Sequence, residues 1–128
     1  MRLLLDTQAF LWAVSDPYGL RGRARRQIES PSNDVFVSAA TGWEIAVKSK
    51  LGRLTLPDDP QRFVPDQMDE SSFAPLPVPM SHALTVLDLP EHHRDPFDRL
   101  LIAQAIVEDL VLVTADAQLR RYPIRIVW

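Results

Sequence analysis

The chain has 128 residues, 46% of them hydrophobic, which suits one compact domain over residues 1–128 and leaves too little for a second. With no cysteine it holds no disulfide, no thiolate metal site and no thiol nucleophile, as expected of a protein of a reducing cytoplasm. A net charge of -3 argues against a nucleic-acid binder held by bulk electrostatics; no apolar run approaches the roughly 20 residues of a membrane span, and Asp6 interrupts the opening apolar run too early for a signal peptide.

Leu3-Leu4-Leu5 is a short unbroken apolar run, the pattern of a parallel strand buried on both faces, and Asp6 follows at its carboxyl end. Thr7 is placed to cap a helix that carries Phe10, Leu11 and Val14 on one side and ends before Asp16-Pro17. Taken alone, Asp6 reads as a capping or turn residue. A second helix spans Gly22 to Glu29, its Arg21, Arg23, Arg25 and Arg26 forming a solvated face, and stops at the turn-rich Ser30 to Asp34. Val35-Phe36-Val37 is the next strand. Ser38 caps a helix that runs to about Lys50 and is stopped by Gly52. Within it Ala40, Glu44, Val47 and Leu51 share one stripe, so Glu44 is an acid that faces inward.

Pro57 to Pro60 is a break, Gln61 to Ser71 is helical in spite of Pro65, and Phe73 to Val78 alternates with prolines as an edge strand does. Ser81 to Leu87 is a short helix. The best-defined helix start follows: Pro96 fits the first helical position, which makes Asp95 the N-cap and Asp98 the third residue. Asp98 then projects in line with Leu101, Ile102, Ala105 and Ile106, with Gln104 and Glu108 on the wetter side. Asp98 has two readings, the partner in a capping box or a functional acid. Its place on the buried face favours the second, because an unpaired buried carboxylate is costly. The strand Leu110 to Val113 ends in Thr114-Ala115-Asp116, and Ile124 to Val127 is the last strand.

Strands alternating with helices imply an α/β fold with a parallel sheet, whose ligands sit beyond the carboxyl ends of the strands. Asp6 and Asp116 each follow a strand, Asp98 opens a helix and Glu44 lies within another, so the four are expected to converge there. Clustered carboxylates repel, and they persist only with protons or a cation. Oxygen ligands favour magnesium or manganese, and such a site suits hydrolysis of a phosphodiester. Gln8 stands where haloacid-dehalogenase chemistry wants a second aspartate. No pair among His82, His92 and His93 has helical metal-ligand spacing, so none reads as a ligand. Trp12, Trp43 and Trp128 read as packing residues before base-stacking ones.

Leu4-Leu5-Asp6-Thr7, Ser38-Ala39-Ala40 with Trp43-Glu44-Ile45-Ala46-Val47-Lys48, Leu51-Gly52-Arg53-Leu54, His93 to Ala105 and Thr114-Ala115-Asp116 together resemble the PIN-domain toxins of the VapC type, over essentially the whole chain. The resemblance implies a three-layer α/β/α sandwich around a five-stranded parallel sheet. It implies a magnesium-dependent endoribonuclease, with manganese able to substitute, that is dimeric and neutralised by a cognate antitoxin. Asp6, Glu44, Asp98 and Asp116 match the family's acidic quartet, with Asp6 and Asp98 as direct metal ligands. Glu44 and Asp116 are left to a second ion, a contact through water or orientation of the nucleophile. Asp95 matches the motif of one subgroup, Thr7 offers a hydroxyl to a ligand or phosphate, and Arg99 offers a guanidinium to RNA. The rival readings are a receiver-like binding module and a PIN fold without catalysis. A receiver wants a phospho-acceptor aspartate and a late lysine that Phe73 to Val78 and Ile124 to Trp128 do not supply, and the complete quartet argues against lost catalysis.

Overall fold

A computed structural model describes residues 1–128. Five parallel strands, β1 (Arg2–Leu5), β2 (Asp34–Ser38), β3 (Ala74–Leu76), β4 (Val111–Val113) and β5 (Ile126–Val127), form one sheet in the order β3-β2-β1-β4-β5. Six helices join them: α1 (Thr7–Ser15), α2 (Gly22–Glu29), α3 (Ala39–Lys50), α4 (Pro60–Ser71), α5 (Met80–Thr85) and α6 (Pro96–Glu108). This is the expected five-stranded α/β architecture.

The strands are apolar throughout because both faces of the sheet are covered. Leu3, Leu5, Val35, Val37, Val111 and Val113 point to one face, where Ala9, Phe10, Ala24, Ile28 and Phe73 meet them. Leu4 and Leu112 point to the other, against Leu101, Ile102 and Ala105 of α6. Helix α3 reaches both sides, with Ile45 in the first cluster and Ala40 in the second. The chain returns across the sheet between β1 and β4, and this switch point, at the strands' carboxyl ends, opens a crevice for side chains.

Several local readings need correction. Asp6, not Thr7, caps α1: its side chain accepts from the Ala9 N–H, and Thr7 is the first helical residue. Leu51 is exposed at the C-terminus of α3, where Gly52 takes φ 72°. The N–H of Arg53 reaches the Lys48 carbonyl and that of Gly52 the Ser49 carbonyl, a left-handed close that turns Leu51 off the stripe. Gln104 is fully buried instead of wet. Helix α5 covers that side of α6, and Gln104 bonds the Ser38 hydroxyl, the Pro77 carbonyl and His82 Nδ1, while His82 Nε2 meets Glu108 at 2.8 Å. The last strand shrinks to Ile126–Val127 behind Pro123.

Candidate metal centre

Asp6 leaves β1 with its backbone N–H bonded to the Val113 carbonyl at 3.1 Å, so β4 fixes where its side chain starts. Oδ1 accepts from the Ala9 N–H at 2.8 Å. Burial pushes its carboxyl above the ordinary aspartate value, against the pull of hydrogen bonds from Thr114 and Ala9 and with further push from Glu44 and Asp116. Glu44, also buried, is held from two sides: the Thr7 hydroxyl donates to Oε1 at 2.6 Å, and the Lys48 ammonium one turn on grips Oε2. That ion pair, through its hydrogen bond first, raises the Lys48 pKa. Thr7 is buried between Glu44 and Thr41 at the edge of the acid cavity, and its hydroxyl orients Glu44.

At the start of α6, Asp95 Oδ1 accepts from the N–H groups of Phe97 at 2.8 Å and Asp98 at 3.2 Å, a full N-cap. Asp98 does not reach back to close a capping box. Its Oδ2 lies 2.9 Å from His93 Nε2, and its side chain is 23% exposed. Its carboxyl is pushed up to about 6, by burial first and then by the neighbouring charges of Asp95 and Asp6. Asp116, after β4, caps the short turn that follows by accepting from the Gln118 N–H, and places Oδ2 3.3 Å from the same His93 Nε2.

Asp6, Glu44, Asp95 and Asp98 line one cavity of about 310 Å³ with Lys48 and Arg53, and Asp116 joins Asp98 across His93. A larger cavity of about 530 Å³ between α3 and α4 contains no carboxylate, so size does not mark the chemistry. One nitrogen of His93 and one oxygen each of Asp98 and Asp116 lie within 4.8 Å of one another. The donor set fits a hard divalent cation. Two of the acids, Asp6 and Asp98, hold their protons more tightly than free aspartates because burial disfavours the charged carboxylate and the neighbouring acids repel it.

Arg99 is placed differently from its expected contact with RNA. Its guanidinium donates to the carbonyls of Pro90, His93 and Val86, bracing the loop that carries His93. Sequence reasoning also missed His93 and Lys48 as parts of the site. The i, i+4 spacing of Glu44 and Lys48 was a usable signal, whereas nothing local foretells a loop histidine folding back over the start of α6.

A family model for the PIN domain matches residues 3–125. The chain belongs to the PIN-domain family. Ribonuclease VapC16 of Mycobacterium tuberculosis is 36% identical over 58 residues, a match that spans 45% of this chain and 41% of that relative. Among solved structures, VapBC2 from Rickettsia felis bound to a promoter DNA fragment superposes with a TM-score of 0.73 at 15% identity, covering 99% of this chain and 98% of that one. DNA-bound VapBC from Salmonella typhimurium gives 0.71 at 19% identity, with 99% and 97% covered. At such identity these two likenesses establish the fold.

Proposed function

We propose that this PIN domain is a divalent-metal-dependent endoribonuclease and the toxin of a toxin–antitoxin pair, acting in the cytoplasm. The observation that carries the reading is the convergence of Asp6, Glu44 and Asp98 on one cavity, with Asp116 beside them. Asp6 and Asp98 would hold a magnesium or manganese ion, with Asp116 and Glu44 directly, through water or at a second ion. Such an ion neutralises charge on a phosphodiester and makes bound water a better nucleophile. Glu44, whose two oxygens are held by the Thr7 hydroxyl and the Lys48 ammonium, would orient that water toward phosphorus. Asp95 keeps its capping role, which aims the first turn of α6 and Asp98 with it.

The relative named as a ribonuclease supports RNA as substrate, and the VapBC neighbours support an antitoxin partner. Apolar side chains left in the open, Trp43 at 60%, Met80 at 74% and Leu87 at 84%, support protein contacts, including a homodimer. No helix is long and apolar enough to cross a membrane. The test is cleavage of RNA by the purified chain with and without manganese, alongside the neighbouring gene product. Metal-dependent cleavage that the partner suppresses supports the reading; no cleavage at millimolar manganese overturns it.

A further inference from the structure

His93 stands among the carboxylates with Nε2 toward them, but its other ring nitrogen is engaged in a way that a ligand's is not. Nε2 lies 2.9 Å from Asp98 Oδ2 and 3.3 Å from Asp116 Oδ2. Nδ1 faces two backbone donors, the N–H of Arg94 at 3.0 Å and that of Asp95 at 3.5 Å. Two donors aimed at Nδ1 require a lone pair there, so the hydrogen of the neutral ring sits on Nε2 and points at the acids. A ligating histidine does the reverse, offering a bare nitrogen to the metal and giving its other N–H to an acceptor. Ligation through Nε2 would force a hydrogen onto Nδ1, against the Arg94 N–H. Arg99 donates to the carbonyls of Pro90 and His93 and so fixes the backbone from which the ring projects.

We propose that His93 is the donor partner of Asp98 and Asp116 and a built-in competitor of the cation, not one of its ligands; this rests on the metal reading above. Its Nε2–H is shared between one oxygen of each acid and draws on the charge that a cation held by those acids would use. His93 therefore steadies the acids before a cation arrives and raises the concentration at which one is taken up. It is a positioning residue whose hydrogen bond competes with a cation for the same carboxylate charge.

The experiment is a manganese titration read by electron paramagnetic resonance on chelator-stripped parent, His93→Ala and His93→Gln, with thermal melting of each before metal is added. Expected are a lower metal-free melting temperature and several-fold tighter manganese binding for His93→Ala. His93→Gln, whose amide N–H donates from near the place of Nε2, is expected to stay close to the parent in both. Weaker or unchanged manganese binding in His93→Ala, direct nitrogen coupling to manganese in ¹⁵N-histidine-labelled parent, or His93→Gln behaving like alanine would overturn the proposal. A parent that binds no manganese would overturn the metal reading and the competition with it, and parent binding alone separates that failure from the others.

Discussion

Asp95 and Asp98 differ by one helical turn and by everything that follows from direction. Asp95 faces the amides of α6 and caps them, so Asp95→Asn is expected to be nearly silent, whereas Asp95→Ala should cost about 0.5–2 kcal/mol with the metal response retained, as read by chemical unfolding. Asp98 faces the other acids, and its carboxyl has a pKa of about 6 in the folded chain against 3.8 in the unfolded one. A raised folded value means that the folded state favours the proton. The contribution is therefore fully present below 3.8 and is lost as pH rises through about 6. In chelator, the parent should lose stability relative to Asp98→Asn across that window, and a difference that stays flat with pH would contradict the assignment.

Gln104 shows what a single element can and cannot reveal. A helical wheel puts it on the wet side of α6, but wheels know nothing of the neighbour, and α5 packs there. Its amide is the hub between Ser38, which caps the helix carrying Glu44, and His82. Gln104→Leu leaves the Ser38 hydroxyl, the Pro77 carbonyl and His82 without it, at roughly 1–3 kcal/mol for each group orphaned. Urea unfolding should show a loss in that range or above, and a loss under about 1 kcal/mol would mean that water takes over the bonds. The other elements were legible because their signals are local: the unbroken Leu3–Leu5 run, Ser38 as a cap, Pro96 at the first turn and prolines confining β3 to the edge. The inward faces of Glu44 and Asp98 followed from helical period alone. What was illegible depends on how a loop folds back on the helix that follows it: Arg99 turned to its own loop, and His93 drawn between Asp98 and Asp116.

At the scale of the molecule, the fold brings together charges that no one element would tolerate. Asp6 comes from the end of β1, Glu44 from α3, Asp98 from α6 and Asp116 from the turn after β4, all at the carboxyl edge of one sheet. A cation that binds only the folded state stabilises it by mass action, about 2.7 kcal/mol at a concentration one hundred times Kd. Calorimetric melting should therefore shift upward with millimolar manganese and return with chelator. Removing one of several repelling charges should leave the metal-free fold as stable or more so, which separates Asp98→Asn from an ordinary destabilising change.

The most direct test of the carboxylate centre is manganese-dependent RNA cleavage by the parent and by Asp98→Asn, measured at a temperature where melting shows both fully folded. The account predicts cleavage by the parent and none by the variant, whose metal-free melting temperature is unchanged or higher. Cleavage at the parent's rate by an Asp98→Asn protein that merely melts earlier would contradict it.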